Sequence, residues 1–240
     1  AERRGGVIHC ALESRLGPSQ VSCDRLVLAT GYFEHPNPLG IPGESLPHVS
    51  HYFDEPHLTT GLDVVIVGGK NSAVESALQA WRAGARVTLV YRGTQLKPSV
   101  KYWLKPDFEN RVKAGEIAAR FASEMMEITP AAVVVRDDHG VVTTLPADRV
   151  YALTGYHPDF ELFRGMGIAL DDEGRPTLDP NTLESNVPGI FMAGSVTSGR
   201  KISEVFIENG RYDGEKIFGD QPSQIRADAL YSSTWRAVDE

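Results

Sequence analysis

Between an apolar run and a helical pattern lies Gly68-Gly69-Lys70-Asn71-Ser72-Ala73, a stretch whose composition could hold a phosphate. Glycines let backbone N–H groups approach an anion that side chains would fend off, and a helix starting there adds the positive end of its dipole. The spacing follows G-x-G-x-x-G/A with one departure, because Lys70 stands at the second glycine position. Beyond the following apolar run comes Tyr91-Arg92. A carboxylate at that point would accept the ribose 2′-hydroxyl of NAD, whereas an arginine meets the 2′-phosphate of NADP. With Lys97 and Lys101 close behind, the residues favour NADPH. They lie in a basic island: from Ser76 to Pro106 there is no acidic residue, while Arg82, Arg86, Arg92, Lys97, Lys101 and Lys105 all fall there. Arg82 and Arg86 read as a solvated face, and the island as a whole suits a small anionic ligand.

Placing such a turn requires a strand before it and a helix after it. Leu62 to Val67 has the β-branched composition of a buried parallel strand. Val74, Ala77, Leu78 and Trp81 recur at helical spacing within Asn71 to Trp81, with Gly84 to end the helix, and Arg86 to Tyr91 reads as the next strand. Strand, glycine turn, helix and strand form one Rossmann half.

An internal repeat extends the architecture. Asp24 to Tyr32 aligns without gaps on Asp148 to Tyr156, and both copies are apolar strands closing on Thr-Gly-Tyr. Ala131 to Arg136 and Val141 to Leu145 predict a hairpin before the second copy, turning at Asp137 to Gly140. Val7 to Glu13 and Gln20 to Cys23, turning near Gly17-Pro18, predict one before the first. If the duplication is complete, the counterpart of Asp63 lies roughly 60 residues before Ala1, so the chain reads as N-terminally truncated.

The chain has 240 residues, 41% of them hydrophobic and 23% charged, which excludes a disordered or collagen-like polymer. Its longest uncharged apolar run, Val64 to Val67, cannot span a bilayer. A net charge of −8 argues against nucleic acid and anionic membrane as partners. Two cysteines, Cys10 and Cys23, make no disulfide framework and no metal spacing, and the opening residues do not read as a secretory signal, which together suit the cytoplasm.

Several segments together resemble the two-dinucleotide-domain flavoproteins of the thioredoxin-reductase-like group: Leu28 to Gly31, Gly40 to Glu44, Gly68 to Ala73, Thr154 to Pro158 and Thr182 to Gly194. The likeness is greatest to the bacillithiol-disulfide reductases, through the glycine turn, Tyr91-Arg92-Gly93, Trp103 to Pro106 and Phe206 to Arg211. The resemblance runs from about Val7 to Phe218. It implies an α/β fold of two Rossmann-like domains, an FAD domain interrupted by an inserted NADPH domain, with the first FAD-binding βαβ unit missing. Residues 1–40 would be a partial FAD domain, 41–157 the NADPH domain, 158–220 the C-terminal part of the FAD domain and 221–240 a mobile tail. Thr30 and Gly31 would lie beside the flavin nucleotide, Gly194 and Ser195 near its ribityl chain, and Gly155, Tyr156 and His157 at the domain return. Ser195 departs from the acidic residue usual there. A helix from about Ile202 to Phe218 would aim its N-terminus at the flavin. His157 stands either near the nicotinamide nucleotide or as a satisfied hinge residue.

Other constellations carry less chemistry. His48, His51 and His57 lie near Asp54 and Glu55 but lack helical spacing, and read as a polar linker and not a metal site. Ser72, Ser195 and Ser203 lack the setting of a hydrolase nucleophile. Thioredoxin reductases carry Cys-x-x-Cys ahead of the glycine turn of the NADPH domain; this chain has no cysteine after Cys23, and Cys10 and Cys23 read as buried, inert thiols. No residue is assigned a catalytic role. The resulting expectation is an NADPH-dependent flavin oxidoreductase passing hydride from NADPH to FAD and on to a low-molecular-weight disulfide such as bacillithiol disulfide, with a homo-oligomer compatible. A ferredoxin-NADP-type flavin reductase and an NADPH-binding fragment without turnover are the alternatives.

Overall fold

A computed structural model describes residues 2–201 and 205–238. Thirteen strands are found among them: β1 (Glu2–Arg4), β2 (Val7–Ser14), β3 (Gly17–Cys23), β4 (Leu26–Leu28), β5 (Val49–Ser50), β6 (Asp63–Val67), β7 (Arg86–Val90), β8 (Ala118–Arg120), β9 (Ser123–Thr129), β10 (Ala132–Asp137), β11 (Val142–Pro146), β12 (Arg149–Ala152) and β13 (Ile190–Met192). Six α-helices accompany them: α1 (Asn71–Arg82), α2 (Lys105–Lys113), α3 (Phe160–Gly165), α4 (Ile207–Gly210), α5 (Asp213–Phe218) and α6 (Gln221–Val238). The chain divides into two compact units, one of residues 37–155 and the other of residues 1–36 with 156–240.

In the unit of residues 37–155, a parallel sheet runs in the order β5-β12-β6-β7-β8. In β6 the residues Val64 to Val67 are all apolar because both faces of the strand are covered there. Val64 and Ile66 pack with Val74, Ala77 and Leu78 of α1 and Phe108 of α2. Val65 and Val67 pack on the other face with Met125, Val133 and Val135 of the antiparallel sheet β11-β10-β9. Small residues on α1, Ala73, Ala77 and Ala80, are fully buried and let the helix lie close to the strands. The two ends of this unit are tied together: the Asn37 N–H donates to the Gly155 carbonyl at 2.9 Å and the Thr154 hydroxyl to the Asn37 carbonyl at 2.6 Å.

The other unit opens with the antiparallel sheet β1-β2-β3, and β4 pairs in parallel with β13. Its core gathers Ile8, Leu28, Phe160, Phe163, Ile190, Met192 and Val196. α3 is capped by Asp159, whose carboxylate accepts the Leu162 N–H at 2.9 Å. Each copy of the sequence repeat follows an antiparallel three-stranded sheet, becomes a strand in parallel pairing, and has a glycine of positive φ next to its last residue, Gly31 at +70° and Gly155 at +91°.

Three expectations are corrected. The first hairpin turns at Arg15-Leu16, with Ser14 opposite Gly17, so Gly17 and Pro18 belong to β3 and not to the turn. In place of one helix over Ile202 to Phe218 stand the short helices α4 and α5, broken at Arg211-Tyr212; Ile202, Ser203 and Glu204 lie outside the described residues. Residues 221–238, read as a mobile tail, form α6. Asp220 caps it by accepting the Ser223 N–H at 3.0 Å, Ala227 is buried, and Asp228 pairs with Lys216 of α5. Among the described residues no helix is long and apolar enough to cross a membrane.

Candidate dinucleotide site

The glycine turn joins β6 to α1, and its two glycines answer to different neighbours. Gly68 has φ of +149°, and a Cβ there would fall 2.6 Å from the Leu153 carbonyl oxygen. A Cβ on Gly69 would fall 2.5 Å from ring carbons of Tyr91. The same ring closes on Gly93, so Tyr91 is clasped between two residues without side chains. Lys70, at the departure from the fingerprint, is extended (φ −112°, ψ −172°) and exposed, so its side chain leaves the turn open. α1 begins with no side-chain cap and no acidic residue in its first turn. Its leading N–H groups and Lys70 therefore make a donor set of the kind that takes a phosphate.

A strap crosses beside this turn. Asn71 uses both ends of its amide: Oδ1 accepts the Lys101 N–H at 2.8 Å and Nδ2 donates to the Ser99 carbonyl at 3.3 Å. The Lys97 N–H reaches the Gly69 carbonyl at 3.4 Å. Leu96 and Val100 anchor the strap in the core. Asn71 was expected only as part of the phosphate turn; its role as a clasp follows from contacts 28 and 30 residues away and left no local signal.

Carboxylates sort the basic island. Arg86 binds Asp63 through two bonds of 2.7 and 2.9 Å, holding the Asp63 carboxyl below its usual range. Arg82 pairs with Asp107, and Lys105 with Glu109. Arg82 and Arg86 are thus ion-paired and not merely solvated. Arg92, Lys97 and Lys101 are exposed, and among the described residues no carboxylate pairs with them.

The remaining expected residues fall in the other unit, Gly155 excepted. Gly31 faces Ser195, where a Cβ on the glycine would lie 3.9 Å from the Ser195 hydroxyl, and a Cβ on Gly194 (φ +73°) would meet open space. Thr30 is exposed beside them. Asp213, unsuspected from sequence, accepts the Gly194 N–H at 2.6 Å; burial pushes its carboxyl up, partly offset by that bond and by Lys216. Tyr156 packs against Phe33 with ring centroids 4.9 Å apart. His157 is stacked between His35 (5.8 Å) and Phe160 (5.2 Å), with Nδ1 2.7 Å from the Pro158 carbonyl, and so is satisfied within its own unit. Cys10 and Cys23 are half-buried and not buried; burial and the Cys10 thiol beside it push Cys23 up, away from the reactive thiolate. His51 binds Glu44 (3.3 Å) and the Ala152 carbonyl (3.1 Å).

Sheet order and turn together define an α/β protein of the dinucleotide-binding class. Residues 15–194 match the model of the pyridine nucleotide-disulphide oxidoreductases, and the chain belongs to that family. Bacilliredoxin reductase Bdr of Bacillus subtilis is 46% identical over 80% of this chain and 59% of its own length. The chain thus spans about three fifths of that relative. A solved structure, bacillithiol disulfide reductase Bdr from Bacillus cereus, superimposes with a TM-score of 0.87 at 38% identity over 97% of this chain and 69% of that one. Thioredoxin reductase of Lactococcus lactis, at 23% identity, shares the fold with a TM-score of 0.72 over 97% of this chain and 73% of that one.

Family membership implies FAD and a nicotinamide nucleotide as cofactors. The residues present fit both groups. The uncapped start of α1, with Lys70 exposed beside it and Arg92, Lys97 and Lys101 paired with no carboxylate among the described residues, suits a nucleotide phosphate. The open space at Gly194 and the Ser195 hydroxyl facing Gly31 suit the extended part of a flavin nucleotide.

Proposed function

We propose that this chain forms part of an NADPH-dependent flavin oxidoreductase that delivers reducing equivalents to a low-molecular-weight disulfide such as bacillithiol disulfide. Gly68, Gly69, Lys70, Asn71, Ser72 and Ala73 would hold the nucleotide pyrophosphate, with Arg92 and Lys101 on the 2′-phosphate side. Thr30, Gly31, Gly194 and Ser195 would hold the flavin nucleotide, with Asp213 fixing the Gly194 amide. FAD, when bound, supplies the relay of electrons from nicotinamide to disulfide; the protein residues bind and orient. The disulfide as acceptor draws on the Bacillus cereus relative, whose name specifies bacillithiol disulfide for that protein, while the Bacillus subtilis relative is named for a bacilliredoxin.

One observation carries the choice of NADPH: Arg92 follows the end of β7 without a carboxylate partner among the described residues, while Arg82 and Arg86 of the same island are consumed by Asp107 and Asp63. Calorimetric titration of the chain and of Arg92→Ala with NADPH and NADH tests it. The substitution is expected to weaken NADPH by about 1.5–3 kcal/mol, the worth of a charge-assisted bond, and to leave NADH nearly unchanged. Equal losses for both nucleotides would remove the 2′-phosphate assignment.

A further inference from the structure

The strap that Asn71 clasps continues into two exposed aromatic residues, Tyr102 and Trp103. Trp103 is 56% exposed and Tyr102 83%, although Leu96 and Val100 of the same segment are buried. Their rings meet edge-on with centroids 4.9 Å apart, and the Lys101 ammonium lies 5.2 Å from the centroid of the Trp103 ring. The indole and the phenol together leave an aromatic face open to solvent beside the basic residues of the strap. The backbone that carries this indole is held on both sides. It sits two residues from the Lys101 N–H held by Asn71, and α2 begins at Lys105, just beyond it. Asn71 is itself the first residue of α1, behind the glycine turn.

The chemistry of that juxtaposition is specific. An aromatic face takes the π-face of a base, and a neighbouring ammonium meets the negative charge that a nucleotide carries beside its base. A ligand whose phosphates lie at the start of α1 and whose ribose lies at the end of β7 has its adenine within the region that the strap borders. We propose that Trp103, with Lys101 over its ring, is the stacking platform for the adenine of the nicotinamide nucleotide. This rests on the reading in which Gly68 to Ala73 holds the pyrophosphate and Arg92 the 2′-phosphate. It adds a residue that sets affinity for adenine nucleotides as a class, independent of the 2′-phosphate.

The test titrates the full chain, Trp103→Ala and Trp103→Phe with NADPH, NADH and 2′,5′-ADP, following heat and indole fluorescence. Trp103→Ala is expected to weaken all three ligands alike, by roughly tenfold, whereas Trp103→Phe keeps most of the affinity. Quenching of indole fluorescence by 2′,5′-ADP should be present in the parent chain and lost in both variants. Unchanged affinity in Trp103→Ala would overturn the platform, as would a Phe variant as weak as the Ala variant. A parent chain that binds none of the three ligands would overturn the underlying reading, and is told apart from failure of the platform by the parent titration alone.

Discussion

Tyr151 shows how one side chain can govern a response of the whole parallel sheet. It is 1% exposed on β12, with its ring against Phe53 and its hydroxyl donating to Asp54 at 3.3 Å. Burial, then the Asp54 carboxylate, pushes its phenol up to about 12. A folded pKa raised above the unfolded value of about 10 stabilises the fold while the group is protonated. That contribution is complete below pH of about 10 and drains away as pH rises towards about 12. Urea unfolding at stepped alkaline pH should therefore show a shallower loss of stability in Tyr151→Phe than in the parent. Identical slopes would place the alkaline sensitivity elsewhere.

At the scale of elements, the β6–α1 turn depends on Tyr91 as much as on its glycines. Because a Cβ on Gly69 would meet the Tyr91 ring at 2.5 Å, Gly69→Ala overpacks the turn and should cost about 1–3 kcal/mol in denaturant unfolding. Trimming the ring removes the obstacle, so Gly69→Ala combined with Tyr91→Ala should lose less than the two single changes summed. Strict additivity would show that the ring is not what excludes a side chain at residue 69. This element also marks how far the sequence could be read. The β-branched run of β6, the helical spacing of α1 and the hairpin of β10 and β11 are local patterns, and the structure has them with ends shifted by a residue or so. β9 was not anticipated, because Ser123 to Thr129 mixes charged and sulfur-containing residues and is fixed as a strand only by pairing with β10. α6 escaped notice for a similar reason: its polar sequence has little stripe of its own, and the Asp220 cap and Lys216–Asp228 pair hold it. The position of Arg92 just after a strand is legible in the sequence. The clasp of Asn71, the Gly194–Asp213 bond and the pairing of Arg86 with Asp63 join residues distant in sequence, and no spacing rule reports them.

For the molecule as a whole, residues 37–155 contain their own parallel sheet, their own antiparallel sheet and two apolar clusters, one on each face. Everything assigned to the nicotinamide nucleotide from Gly68 to Trp103 lies within this continuous stretch. Expressed alone, it should unfold in one cooperative step and bind NADPH with the affinity of the full chain, as calorimetry and thermal melting would show. A large loss of affinity would mean that the nucleotide site needs residues from the flanking segments. The bonds that join Asn37 to Gly155 and Thr154 carry a consequence for the gene. Since the two ends of the stretch are bonded to each other, its coding sequence behaves as a cassette: a module of different coenzyme preference could be spliced in at the same two junctions while β4 and β13 keep their pairing.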